Sequence, residues 1–414
     1  MSAMADKAVK KRRRSGTATW HMSMDAVSVS IPEIARWTDK QCLDYLLQVR
    51  FGAWDTVSCP HCGTLGDHYW RKTEKRWKCE GCGSTFSITS GTVFANRKKS
   101  LNHILTSVLM WVNSAAGQPA LELKRHMKTT YNTAFTLQHK MREALVRGYN
   151  VGFMNGDVEM DGAHQSGRRA DEKRGKPLGP VAPAVGADGQ PEKSDETLLT
   201  HSGRTAAKRK GVTDPVQENQ YPESRRIMFA VRQRSGVRGK GTVKTRVAVG
   251  LSETPEVATS IIRKYIAVPE SYLNTDSLST YDKIGKEFRT HRKVNHSQTL
   301  VGPQSENNNQ AEELNGRFDR AEKGIYLNIE PKYMLDYACE TAFRSDTRRL
   351  DNGRQLKVAM GVAMAVGESL FWKGFTHGKH RKVELTHPEP LPAAASGPAK
   401  GRSPISSANG RPPR

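Results

Sequence analysis

Apolar positions along the chain fall into blocks of different period. From Pro32, the run Ile34, Trp37, Cys42, Leu43, Leu46 and Leu47 has helical spacing and leads into a cysteine-rich block. Beyond that block, Leu101, Ile104, Leu105, Val108, Leu109 and Val112 recur at i, i+3/i+4, which predicts an amphipathic helix ended by Gly117-Gln118-Pro119. Two shorter helical segments follow, one with Leu121, Leu123 and Met127, the next with Tyr131, Ala134, Phe135, Gln138 and Met141. Only Lys128-Thr129-Thr130 separate them, so the pair reads as a helix-turn-helix or as an ordinary αα-hairpin. Val158-Glu159-Met160-Asp161 reads as a short strand. Ile227–Arg234 and Val243–Leu251 alternate and are rich in β-branched residues, hence strands. Val257, Ile261, Ile262 and Tyr265 predict a helix, Tyr272–Thr275 a strand ending at Asp276, and His291–His296 a further strand. From Asn309, and again over Tyr333–Val366, the pattern is helical. Strands first, helices afterwards and one helical crossover give a mixed α/β (α+β) half.

Between these blocks lie stretches without apolar period. Residues 1–30 carry Lys10-Lys11-Arg12-Arg13-Arg14 and read as a disordered basic tail. Residues 165–224 are rich in Gly, Pro, Lys, Arg and Asp, the composition of a disordered insertion. Residues 371–414, increasingly rich in Pro, Ala, Gly and Arg, read as a flexible tail. The expected organisation is therefore a helix and cysteine block over 31–97, a helical region over 98–150 and an α/β domain over 151–370. The 36% hydrophobic content fits a chain with this much linker.

Charge narrows the function. Lys and Arg outnumber Asp and Glu 65 to 42, a net charge of +23. Such a chain seeks a polyanion, because each neutralised phosphate releases condensed counterions. No apolar run approaches the roughly 20 residues of a membrane span, and the first 24 residues lack the apolar core of a secretory signal. A cytoplasmic, nucleoid-associated protein is expected.

The chemistry-bearing residues fall in two sets. Cys59-Pro60-His61-Cys62 and Cys79-Glu80-Gly81-Cys82 form a CxxC pair of pairs. Each CxxC turn offers two thiolates, and four close a tetrahedral shell, so Cys59, Cys62, Cys79 and Cys82 predict a structural Zn²⁺. Gly63 and Gly83 follow where tight knuckles need them, and Tyr69-Trp70, Arg76–Lys78 and Thr85–Ser87 look like the short strands of a ribbon. The second set is acidic: Asp161 and Asp276 at strand ends, Glu312 and Glu313 on a helix. Two aspartates and a glutamate converging on two divalent ions about 3.5–4 Å apart suit phosphodiester chemistry. By spacing alone these acids read more simply as solvated caps.

The order of these features resembles the zinc-ribbon DDE transposases of bacterial insertion sequences, the ISXO-type family. Tyr45–Gly52 running into Cys59-Pro60-His61-Cys62-Gly63, and Phe86–Phe94 after the second pair, are similar to that family's ribbon entry and exit. Val158–Asp161, Asn274-Thr275-Asp276 with Tyr281, Val294–Ser297, and Asn309–Glu312 followed by Gly324-Ile325-Tyr326 and Phe343-Arg344 resemble its catalytic segments. The resemblance spans roughly residues 32–365. It implies an RNase H-like catalytic domain, catalytic and metal-holding roles for Asp161, Asp276 and Glu312, and two Mg²⁺ or Mn²⁺ ions. It further implies double-stranded DNA as partner (element ends and target) and a homodimer or larger assembly on DNA. His296 would lie near that site or serve as a plain strand histidine. Glu312 and Glu313 compete for the third role; register back from Gly324 favours Glu312. Departures are Gly162, where a second acid is usual, the long basic insertion, and Leu314-Asn315 in place of an aromatic. A non-catalytic DNA-binding regulator derived from a transposase is the alternative, and an RNA-binding ribbon protein a weaker one.

Overall fold

The computed structural model describes residues 20–66, 68–166, 225–237, 240–294, 307–381 and 383–387. His296 and the 167–224 stretch lie outside the described residues.

The first helical run is two helices, α1 (Ile31–Ala35) and α2 (Asp39–Arg50). Each starts with a capping box, Ser30 with Glu33 and Thr38 with Gln41, and the second box interrupts what the apolar spacing alone reads as continuous. The ribbon follows as β1 (His68–Arg71), β2 (Arg76–Cys79) and β3 (Thr85–Phe86), an antiparallel sheet in that order. Next come α3 (Leu101–Asn113), α4 (Ala120–His126) and α5 (Tyr131–Ala144); the Ser100 and Thr130 hydroxyls cap α3 and α5, while Pro119 precedes α4 without a side-chain cap.

The second half is a five-stranded sheet of order β6-β5-β4-β7-β8. Its strands are β4 (Met154–Ser166), β5 (Arg225–Arg234), β6 (Thr242–Gly250), β7 (Ile266–Asp276) and β8 (Thr290–Val294). β5 is antiparallel to β4 and β6, while β7 is parallel to β4 and β8. Helix α6 (Pro255–Tyr265) makes the crossover from β6 to β7. A short α7 (Asp282–Gly285) precedes β8. Helices α8 (Asn309–Ala321), α9 (Met334–Thr347) and α10 (Asn352–Ala365) follow. Three antiparallel strands, a helical crossover, two parallel strands and a helix returning to the sheet are the RNase H-like arrangement.

Alternation along β5 divides the core. Met228 and Ala230 face α8 and α9, meeting Leu314 and Phe318, in a cluster that runs on without a break through α3 to Trp77 and Phe86 of the ribbon. Ile227, Phe229 and Val231 face the other way, joining Val158, Met160, Ile261 and Ile262 under α6.

Both tails are shorter than their composition suggests. Ser28 donates its backbone N–H to Asn352 (2.9 Å), whose amide donates back to Val29 (2.7 Å), so Ser28 and Val29 dock at the start of α10. At the other end Trp372 is 2% exposed, Arg381 pairs with buried Asp336 (2.5 Å), and His387 donates its N–H to the Val249 carbonyl (2.7 Å). Isolated aromatics and a buried arginine lack a period, which is why residues 371–387 pass for tail in the sequence.

Candidate active site and metal centre

The ribbon builds its metal centre from two equivalent knuckles. After each cysteine pair a glycine adopts a left-handed conformation, Gly63 at φ 79° and Gly83 at φ 68°. Its N–H donates to the carbonyl of the first cysteine, Gly63 to Cys59 and Gly83 to Cys79, both at 2.9 Å. The four sulfurs lie within 4.8 Å of one another, with Cys59–Cys82 at 3.8 Å and Cys62–Cys79 at 3.5 Å. Four thiolates about 2.3 Å from one ion stand about 3.8 Å apart, so the set fits a structural Zn²⁺. The Thr64 hydroxyl and backbone beside Cys62 bring its thiol down to about 6, favouring the thiolate that binds metal. Cys42 and Cys339 are buried elsewhere in the core and take no part.

Asp161 and Asp276 lie near each other at one end of the inner strands β4 and β7, where both act on Glu253. Parallel pairing of β4 with β7 ends at Glu159 with Asn274, and Asp161 and Asp276 each lie two residues beyond that last pair. β7 ends there, but β4 continues to Ser166 paired with β5 alone. Asp161 thus sits where β4 loses its second neighbour, within a strand and not at the end read from the sequence. Asp276 accepts the Leu278 N–H (3.1 Å) in the turn after β7.

Helix α8 brings the third acid. Asn308, just before it, and Asn315, within it, donate their side-chain amides to Asp161 at 3.4 and 2.7 Å. Glu312 lies one turn from both and is exposed, and so shares the helix side that faces Asp161. Glu313 points elsewhere: the Arg232 guanidinium donates to it at 2.8 Å and Arg317 pairs with it. Burial raises the Glu313 carboxyl, but these two arginines bring it below the usual carboxylate range. The oxygens of Asp161, Asp276 and Glu312 do not gather as tightly as the cysteine sulfurs; among the described residues only the cysteines reach one-ion spacing.

Three features of this end of the sheet carry no motif. Glu159, fully buried, accepts the Gln310 and Ala311 N–H groups at 2.7 and 3.0 Å and so caps α8 from the neighbouring strand. Arg234 holds Glu159 (2.5 Å) and Asp157 (3.3 Å) in turn. The third is Glu253, in the loop between β6 and α6. Its carboxylate accepts from the Tyr281 hydroxyl (3.0 Å) and lies where a Cβ on Gly162 would be, 2.5 Å from Oε1. Burial pushes Glu253 up to about 7; the Tyr281 hydrogen bond opposes this, and the negative charges of Asp276 and Asp161 reinforce it. An acid between a strand and the Thr254-Pro255 helix start is a sequence signal of the same kind as Asp276, and it passes unnoticed because no family motif marks it.

Helices α4 and α5 form the expected hairpin, with Lys128 left-handed in the turn. Lys124, Arg125, Lys128, Tyr131 and Asn132 are exposed on it. The other side of α5 lines a cavity of about 610 Å³ together with Arg97, Lys98, Lys99, Lys140 and Lys373.

Residues 37–85 match the transposase zinc-ribbon domain, and residues 187–346 match the ISXO2-like transposase domain. All four ribbon cysteines fall in the first match; Asp276 and Glu312 fall in the second, and Asp161 lies ahead of it. No curated protein matches the chain. Among the described residues no helix is long and apolar enough to cross a membrane. With these two matches covering about half of its length in the order that the fold displays, the chain belongs to the zinc-ribbon, ISXO2-like transposase family.

Proposed function

We propose that this transposase binds the terminal inverted repeats of its insertion sequence, cleaves the DNA strands there and joins the freed ends to target DNA. The observation that carries the reading is that Asp161 and Asp276 lie just beyond the last parallel β4–β7 pair, both close enough to act on Glu253, with Asn308 and Asn315 of the α8 start and body holding Asp161. Carboxylate and amide oxygens suit hard cations. Asp161, Asp276 and Glu312 would hold two Mg²⁺ or Mn²⁺ ions. Bound in pairs, such ions activate an attacking oxygen and stabilise a leaving one in an in-line displacement.

The chain's own residues prepare that chemistry. Asn308 and Asn315 fix the Asp161 carboxylate so that its oxygens face this end of the sheet. Glu159 and Arg234 anchor the first turn of α8 to β4 and β5, which sets the distance between Glu312 and the strand acids. The ribbon and the α4–α5 hairpin grip the repeats, lysines and arginines touching phosphate and positioning without specifying sequence. Because two ends must be paired, the working form is a dimer or larger assembly on DNA.

The test is strand cleavage of a duplex bearing the terminal repeat, with Mg²⁺, in wild type and in the Asp161→Ala and Asp276→Ala variants. Metal-dependent cleavage lost in both variants is expected. Binding without cleavage in all three, with the ribbon folded, would make the chain a DNA-binding regulator.

A further inference from the structure

We infer that Glu253 is a fourth carboxylate of this metal site, reaching it from the α6 side through the space left by Gly162. The inference rests on the two-metal reading above and deepens it.

Glu253 is not a surface acid. It is partly buried in the β6–α6 loop, just ahead of the Thr254 cap of α6. Its surroundings hold two like charges, Asp161 and Asp276, and one neutral donor, the Tyr281 hydroxyl. Among the described residues no lysine or arginine pairs with it. A desolvated carboxylate facing two others is unfavourable unless a proton or a cation joins them, and a divalent cation can serve all three at once. Other acids on the sheet are treated differently: Glu159 and Asp157 have Arg234, Glu313 has Arg232 and Arg317, and Asp346 accepts from Thr245. The fold supplies a counter-ion or several donors where it holds a structural acid, and gives Glu253 a single hydroxyl.

The approach of Glu253 depends on a missing side chain. Any Cβ at 162 would stand 2.5 Å from Oε1 and 2.9 Å from Cδ of Glu253, closer than such atoms approach. Gly162 directly follows Asp161, so the glycine admits Glu253 beside the first strand acid. Tyr281, buried at the start of the turn that follows Asp276, orients the carboxylate by donating to Oε1. Thr280 fixes the loop backbone by donating to the Glu253 carbonyl (3.3 Å). Helix α8 brings Glu312 to one side of this end of the sheet, and the β6–α6 loop brings Glu253 to the other.

The experiment titrates Mn²⁺ into the zinc-loaded full chain without DNA, read by electron paramagnetic resonance, and follows melting with and without Mn²⁺. Wild type is compared with Glu253→Gln, Gly162→Ala, Asp161→Asn and Asp276→Asn. Glu253→Gln keeps the Tyr281 hydrogen bond and removes only charge. It is expected to raise the Mn²⁺ Kd about tenfold or more, to reduce the Mn²⁺-induced rise in melting temperature, and to melt at or above wild type without Mn²⁺. Gly162→Ala, which displaces Glu253, should weaken Mn²⁺ binding in the same way. If Glu253→Gln binds Mn²⁺ as wild type does while the two aspartate variants lose it, the inference fails and the two-metal reading stands. If the aspartate variants also bind as wild type does, both fail. A Glu253→Gln protein that melts well below wild type without Mn²⁺ would make Glu253 a structural residue and overturn the inference.

Discussion

Glu312 and Glu313 have the same side chain and opposite surroundings. Glu313 is engaged by Arg232, itself 1% exposed and also bound to the Gln310 carbonyl and the Ser345 hydroxyl. Glu312 is exposed on the side of α8 that carries Asn315. The two therefore separate by experiment. Glu312→Gln should lower cleavage by about a hundredfold or more and leave melting unchanged. Glu313→Gln should keep cleavage per folded molecule and lose about 1–2 kcal/mol of stability, because Arg232 stays buried with weaker compensation. Chemical denaturation of both variants beside the cleavage assay checks this. The opposite pattern would transfer the third role to Glu313. Register counting from Gly324 already favours Glu312, but the reason lies in Arg232, a residue 80 positions earlier in the chain that no local pattern connects to α8.

At the scale of elements, what was legible depended on how locally each element is specified. The ribbon was legible in full, since its four ligands, two glycines and three short strands fall within one short stretch whose ligand chemistry allows few arrangements. The strands and helices of the sheet were legible from their periods, but not the parallel β4–β7 pairing that brings Asp161 and Asp276 to the same end of the sheet, because a parallel register over more than 100 residues leaves no periodic trace. Nor was the capping of α8 by Glu159, which replaces the usual side-chain cap with an acid from another element. Helix α5 adds a case of its own. His139 is fully buried on it, stacked on Trp372 at 4.3 Å. Burial, then the charges of Arg142 and Arg381, hold its imidazole well below the usual range, so it folds as the neutral form. Below about pH 6.5 the unfolded chain binds a proton there that the folded chain does not. This contribution to stability is therefore present above that pH and is lost as the pH falls. His139→Phe, of similar shape, should reduce the stability lost between pH 7 and pH 5 by up to about 2 kcal/mol. Denaturant titrations at both pH values measure it, and an unchanged slope would mean that His139 is protonated in the fold.

Across the whole molecule, the ribbon and the five-stranded sheet are not independent beads. One apolar cluster runs from Ile34 and the ribbon's Trp77 through α3 to Phe343 of α9 and on to Met228 and Val249 of the sheet. Trp372, outside the expected domain, closes the cluster beside α5. A continuous core of this kind holds the basic surface of the N-terminal half in one arrangement with the acids of the sheet, so under the proposed function DNA held by one would be presented to the other at a set distance. The net charge of +23 alone says only that the chain seeks polyanions. One basic concavity among the described residues is a cavity of about 610 Å³ between the ribbon exit, α3, α5 and the segment around Trp372, lined by five lysines and arginines. If duplex DNA lies across it, each phosphate neutralised there adds about 0.9 to the slope of log K against log salt. Replacing Lys98, Lys99 and Lys373 by alanine should lower that slope by about 3. The loss should be the same for repeat and unrelated duplexes, because phosphate contacts position without reading sequence. Melting should change little, since all three side chains are exposed. Binding isotherms at four or five salt concentrations on both duplexes give the slopes. An unaltered slope would move the DNA path off this cleft and onto the exposed end of the α4–α5 hairpin, where the same substitution at Lys124, Arg125 and Lys128 would then carry the effect.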